Sequence, residues 1–443
     1  MTQIPAQGAI ADRPAALLGD IRRFIEGVST RRLDNGLDVH VASDRRSPLV
    51  ACAVAYRAGT RDEDPAYGGV AHFLEHMMFK GAERFGAGEI DRLTQAAGGV
   101  NNAFTSHDST LYYFTFAADR WRLALDIESD RMAGLNLAAE DVEAERQVIH
   151  EEISMYEGEP WDMLLRGVQA AAFGRHPYGR PILGTRATLD AIGAEQLRQF
   201  HRRFYRPSNA AVVVVGDVDV DAAHAAIAER FTLPSPPAPE RPSPPAAERG
   251  ARRVERHQGE LARLEVALPT PPVTDPDHAV LRLLCSVLTL GRSSRLHRLL
   301  VDDQQLALWV SADAQQTLDP GVLGMTAEAV PGRDPGRLEA GILDALRELV
   351  DEPPSSAELA RARQLMMADW LFGHERLEQR AFLLGGASAL ADLALPVRSM
   401  ERLLNATPDE LLRVAGRYLR PERAVIGWSW PEAGDADDGE PDR

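Results

Sequence analysis

His72, Glu75 and His76 stand three and four residues apart inside GGVAHFLEHMMFKG (68–81), a stretch otherwise rich in Phe, Leu and Met. On a helix, positions i, i+3 and i+4 share one face, so these three polar side chains would project together. Two imidazoles one turn apart can hold one zinc ion, with the carboxylate beside the open coordination position. Such an ion lowers the pKa of a bound water, and a neighbouring carboxylate can take the proton as water attacks a carbonyl carbon. The chemistry that this spacing offers is metal-assisted hydrolysis.

The order H-x-x-E-H is the inverted form of the zincin motif. A catalytic zinc takes a third protein ligand and keeps one position for water. The stretch EAERQVIHEEI (143–153) offers two candidates, Glu145 and Glu152. They are seven residues apart, two helical turns, and so share a face, whereas Glu151 is turned away by about a hundred degrees. One of the pair as ligand and the other as a carboxylate orienting a histidine is a sensible division of labour. Spacing alone does not choose between them.

The elements that must position these residues can be read around them. GLDVHVASD and LVACAVAYRAG have the apolar look of strands, and EIDRLTQAAGG reads as a short helix closed by glycine. VNNAFTSHDSTLYYFTFAAD reads as a hairpin turning near His107-Asp108-Ser109. DRWRLALDIESDRMAGL and AAEDVEAERQVIHEEISMYEG carry helical periodicity. The density of proline in 232–250 marks an extended linker between a first domain, 1–231, and a second, 251–443, which ends in an acidic tail. Arg203-Phe-Tyr-Arg-Pro207 and Arg417-Tyr-Leu-Arg-Pro421 each precede an apolar strand-like run. This short repeat points to two related α/β domains, duplicated within the chain.

Bulk properties narrow the class. A chain of 443 residues is long for one core, and two domains of roughly 200 residues are expected. A formal net charge of −17 argues against nucleic-acid binding, which calls for a basic face. Cys52 and Cys285 are the only cysteines and read as buried free thiols. No run of 18 apolar residues is present, so no membrane span is expected, and the first twenty residues lack the pattern of a signal peptide. Periplasm after removal of an export signal and cytoplasm both stay open.

With these residues in view, the chain resembles the insulinase, or pitrilysin, family of inverted-zincin peptidases, and within it the half-length bacterial subunits similar to mitochondrial processing peptidase. The resemblance rests on GGVAHFLEHMMFKG, ERQVIHEE, NAFTSHDSTLYY, HPYGRPILGT and YRPSNAAVVVVGDVD. It implies an α+β fold of two α/β-roll domains, each an antiparallel-type sheet with helices packed on it. It implies one zinc ion per chain, held by His72, His76 and Glu152, with Glu75 as general base and Glu145 as the supporting carboxylate. It also implies that Asn102, Ala103 and Phe104 lie on an edge strand that pairs with an extended peptide substrate.

One departure from the family pattern bears on partners. The family carries an arginine and a tyrosine seven residues apart after a Ser-Ser-Arg-Leu block, and these side chains stabilise the oxyanion. Counting from Ser293-Ser294-Arg295-Leu296 in GRSSRLHRLLVDDQQLALWVSA, the two positions fall on Val301 and Leu308. Arg298 and Trp309 are nearby but shifted, and a one-residue slip turns a strand side chain to the other face. The expectation is a heterodimer in which a related subunit supplies the Arg/Tyr pair and the two chains enclose a chamber. The alternatives are a self-sufficient homodimer, with donors such as Arg292, Arg295 or Arg298, and a non-catalytic assembly subunit.

Overall fold

The structure, a computed structural model, describes residues 13–247 and 252–432. The acidic tail from residue 433 onward and linker residues 248–250 lie outside the described residues. The chain divides into two compact units, each built on one sheet.

In the first unit six strands are hydrogen-bonded in the order β1-β2-β6-β3-β5-β4. They are β1 (Ser29–Arg32), β2 (Asp38–Ser43), β3 (Leu49–Tyr56), β4 (Val100–Thr105), β5 (Thr110–Ala117) and β6 (Ala210–Gly216). Only β2 and β6 run parallel; the other neighbours are antiparallel. The second unit orders its strands β7-β11-β8-β10-β9: β7 (Arg253–His257), β8 (Arg263–Pro269), β9 (Ala307–Ala314), β10 (Val322–Ala329) and β11 (Val425–Trp430). Here too the only parallel pair joins the first and last strands, β7 and β11. With β1 set aside, both sheets share the order first, last, second, fourth, third. The repeated Arg-x-x-Arg-Pro segments lead into β6 and β11, the corresponding strands, through the 3₁₀ turns Pro207–Asn209 and Pro421–Arg423. The expected α+β fold of two duplicated, related domains is the observed one.

The units are interleaved along the chain. Among the described residues, the first comprises the chain up to Ile153, then Arg180–Pro245 and Met366–Asn405; the second takes Ser154–Gly179, the described residues between Ala246 and Leu365, and those from Ala406 to 432. The helix at Leu377–Leu390, from the later half of the sequence, therefore covers the first sheet. It buries Ala381 and Leu384 against Ala53, Ala55, Val213 and Val215. The helix at Pro160–Phe173, from the earlier half, lays Leu164 and Val168 on the second sheet beside Ala267 and Val425. A Cβ at Gly427 on β11 would stand 2.2 Å from Val168, so this close approach of helix to strand requires glycine. Linker residues up to Pro245 belong to the first unit, where Arg241 makes two hydrogen bonds to the buried Asp62 carboxylate, at 2.9 and 2.8 Å.

β3 shows why its sequence is a continuous apolar run. Val50, Cys52, Val54 and Tyr56 face one core, with Phe73, Leu74 and Met77 of α1 (Val70–Met77). Ala51, Ala53 and Ala55 face the other. Both faces of the strand are covered, so alternation is absent. Cys52 and Cys285 are buried free thiols. Among the described residues no single helix is long and apolar enough to cross a membrane.

The second sheet contains a group that ought to govern stability. Glu265 on β8 is 5% exposed, its Oε2 lacks a hydrogen-bond partner, and burial alone pushes its pKa up to about 8. The folded chain holds this proton at neutral pH, whereas the unfolded chain releases it near the ordinary carboxyl value. The associated stability is therefore complete at pH below that ordinary value and is lost as pH rises through about 8. Glu265→Leu is expected to stabilise the protein by about 3 kcal/mol at pH 7. The gain in melting temperature should grow from pH 5 to pH 8, and a gain independent of pH in thermal melts would refute this account of Glu265.

Candidate metal centre

The centre is assembled from two helices and one strand of the first unit. α1 starts at Gly69, whose φ of +95° is a left-handed conformation natural to glycine. Phe73, Leu74 and Met77 anchor it in the core, so the side chains that are one or two positions away from them, His72, Glu75 and His76, are held at fixed places. α2 (Ala139–Gly158) anchors Val142, Ile149 and Ile153 in the same core, and brings Glu145 and Glu152 to the histidines.

The two glutamates separate by what they reach. Glu152 Oε2 lies 3.7 Å from His72 Nε2 and 3.5 Å from His76 Nε2. One ligand atom from each of His72, His76 and Glu152 lies within 4.8 Å of the others. A tetrahedral ion with bonds of about 2.0–2.1 Å separates its ligand atoms by roughly 3.4 Å. The two His–Glu distances thus suit ligands that share an ion, and the donor set of two imidazoles and a carboxylate suits zinc. Glu145 plays the other part. Its Oε1 is 2.8 Å from His76 Nδ1, and its Oε2 is 2.5 Å from Nζ of Lys80, the sole lysine in the chain. This contact orients the His76 ring so that Nε2 points to Glu152. His72 has no such support, because its Nδ1 is buried without a hydrogen-bond partner.

Protonation follows from the surroundings. Burial, with the neighbouring His76, lowers the His72 pKa to about 3, so its imidazole is neutral, as a metal ligand must be. For His76 burial pulls downward, but the hydrogen bond and charge of Glu145 outweigh it and the pKa is raised. The same hydrogen bond holds Glu145 below the usual carboxylate range, while burial raises Glu152. Burial also raises Glu75, opposed by the hydroxyl of Thr105, which donates to Glu75 Oε2 at 2.5 Å. A buried carboxylate with a raised pKa, held beside a candidate metal site, suits a general base.

Asn102, Ala103 and Phe104 lie on β4, which is the edge strand of its sheet. Side chains alternate along it. Ala103 packs on the core that holds α1, and Thr105 reaches Glu75, whereas Phe104 packs on Phe382 with ring centroids 5.6 Å apart. The Phe104 ring therefore faces away from the histidines, and what β4 offers near the centre is its backbone edge. Tyr112 is fully buried, with its hydroxyl 3.1 Å from that of Tyr205.

In the second unit, Val301 lies in a π-helical turn, His297–Asp303, and Leu308 near the start of β9. The strand-face argument that separated Leu308 from Trp309 does not hold. In the ladder Trp309 pairs with Glu328 and Ala307 with Ala329, so Leu308 is an extra residue in a β-bulge. Both side chains are exposed in consequence, Leu308 by 47% and Trp309 by 38%. Arg295 pairs with Glu358 at 2.6 Å. Sequence reasoning missed Thr105 and Lys80. Lys80, the lone lysine and one turn past His76, was a signal in plain view.

Residues 39–186 match the model of the insulinase family, peptidase family M16, and residues 191–366 match that of the peptidase M16 inactive domain. The chain is 32% identical over 380 residues to an uncharacterised zinc protease of Streptomyces coelicolor, covering 83% of each. It is 28% identical over 406 residues to the zinc protease PqqE of Helicobacter pylori, covering 89% of this chain and 90% of the relative. Among solved structures, a protease from Helicobacter pylori superimposes with a TM-score of 0.85 at 26% identity, over 91% of this chain and 99% of the other. The peptidase M16 inactive domain from Pseudomonas fluorescens shares the fold, with a TM-score of 0.81 at 19% identity, over 92% of this chain and 98% of the other.

Proposed function

Because the chain belongs to the insulinase family of peptidases, family M16, we propose that it is a zinc-dependent endopeptidase subunit that hydrolyses peptides or unfolded polypeptides. The observation that carries this reading is the convergence of His72 and His76 of α1 with Glu152 of α2, while Glu75 stands on the same short helix as the two histidines. His72, His76 and Glu152 would hold the ion, and the chemistry it would supply when bound is Lewis acidity toward the scissile carbonyl and the attacking water. Glu75 takes the proton from that water and returns it to the leaving amine. Thr105 holds Glu75 by one oxygen, and Glu145 holds the His76 ring. The free edge of β4 aligns an extended peptide by backbone hydrogen bonds.

The active form in this proposal is a heterodimer, with a related subunit that supplies the arginine and tyrosine missing at Val301 and Leu308 and encloses the substrate. Support comes from two apolar side chains where the family pattern places oxyanion donors. The test is hydrolysis of an internally quenched peptide library by the chain alone and mixed with a related chain that carries the Arg/Tyr pair. Removing oxyanion donors costs about 10²–10³ in kcat, so a gain of that order is expected in the mixture. Equal rates alone and mixed would replace the heterodimer by a self-sufficient homodimer.

A further inference from the structure

His76 is oriented by Glu145, but no side chain orients the Nδ1 of His72. The position of His72 must then be set by its backbone, that is, by where α1 begins. The start of α1 is gripped from outside the helix. Gly69, its N-cap, has no side chain to cap with. Glu63, six residues earlier and 5% exposed, does so instead: Oε2 accepts from Gly69 N–H at 3.0 Å and Oε1 from Ala71 N–H at 2.9 Å. Two of the orphan donors at the helix end are thus met by one carboxyl group, whose pKa burial raises to about 8 against the pull of these two hydrogen bonds.

Glu63 is itself clamped. Arg180 donates to the carbonyl of Glu63 at 3.4 Å and to that of Thr60 at 3.2 Å. Beyond it the backbone at Leu183 and Gly184 lies directly against Gly68 and Gly69. A Cβ at Gly184 would be 2.1 Å from the carbonyl oxygen of Gly68, and one at Gly69 2.5 Å from that of Leu183. Thr188 Oγ1 closes the contact with a 2.7 Å hydrogen bond to the Gly68 carbonyl. Arg180, Leu183 and Gly184 come from the block HPYGRPILGT, which has no task in the chemistry above.

We infer that Glu63, backed by Arg180, is a positioning residue that sets His72 for the metal by fixing the first turn of α1. This rests on the reading of His72, His76 and Glu152 as zinc ligands. One histidine is then held through its ring and the other through its helix, so removing the clamp should loosen the metal even where the fold survives.

The experiment compares Glu63→Ala and Arg180→Met with Asp275→Ala, which removes an N-cap of the same kind from the helix Pro276–Thr289 in the second unit. Two quantities are read on each full-length protein: zinc affinity, by competition with a chromophoric chelator, and the melting temperature of the metal-free form. Glu63→Ala is expected to weaken zinc binding about 10–100-fold, and Arg180→Met to weaken it in the same direction. Asp275→Ala should lower the melting temperature and leave zinc affinity within twofold of wild type. Zinc affinities within twofold of wild type in folded Glu63→Ala and Arg180→Met would overturn the clamp alone. If Glu63→Ala does not fold, Arg180→Met decides. A wild-type chain that takes up no zinc, or takes it up equally as His72→Ala, would overturn the site reading and the clamp with it.

Discussion

Glu75→Gln is expected to lower kcat for peptide hydrolysis by about 10²–10⁴-fold, the contribution of a positioned general base, while zinc stays bound at one equivalent. The substitution keeps the shape of the side chain and an oxygen that can accept the Thr105 hydroxyl, so the contact between α1 and β4 survives. What it removes is the ability to take a proton from water. Glu75 is 9% exposed, and a neutral amide there avoids the burial that already raises the carboxyl pKa, so no loss of stability is expected. The signature is a fall in kcat with little change in KM, metal content or melting temperature. Retention of wild-type kcat in Glu75→Gln would mean that another group takes the proton.

The second large effect separates the ligands from their support. His76→Ala should abolish stoichiometric zinc binding and hydrolysis together, because it removes one of three protein ligands. It also strips the buried Glu145 of the imidazole 2.8 Å away, leaving that carboxylate with Lys80 alone. Glu145→Gln should act differently. The His76 ring keeps its metal-facing nitrogen but loses the charged partner that fixes its tautomer, so zinc affinity falls about 10–100-fold and hydrolysis returns when zinc is added in excess. Metal analysis after dialysis, followed by rates at rising zinc concentration, distinguishes the two variants. If Glu145→Gln lost zinc as completely as His76→Ala, Glu145 would have to be counted among the ligands.

The ligand helix was legible because its information is local. Three polar residues at i, i+3 and i+4 within an apolar stretch carry their own geometry, and the structure places all three on α1 as read. Glu145 and Glu152 were legible as a pair, two turns apart on one face, but not as individuals. Which of them meets the Nε2 atoms and which the Nδ1 depends on how α2 is set against α1, and that is a tertiary fact. The resemblance to a known family, not the spacing, distinguished them.

The duplication showed through only as the short Arg-Pro repeat before β6 and β11, yet those segments occupy matching places in two sheets of the same strand order. The interleaving was not legible. Helical periodicity says that Leu377–Leu390 has an apolar face, but not that this face lies on the first sheet. The bulge at Leu308 was hidden for a related reason: an inserted residue leaves composition unchanged while shifting every later side chain in register. Glu63 lay in view between Asp62 and Asp64, where a run of acidic residues reads as a solvated surface, and only the fold shows it buried on the end of α1.

The most direct test of the central claim is the initial rate of hydrolysis of an internally quenched peptide as zinc is returned to the metal-free protein, in whichever assembly is most active. The expected result is no hydrolysis without metal and a rate that rises with zinc to a plateau at one equivalent per chain of the described sequence. Hydrolysis by the metal-free protein, or a rate indifferent to added zinc while His72, His76 and Glu152 are intact, would contradict it.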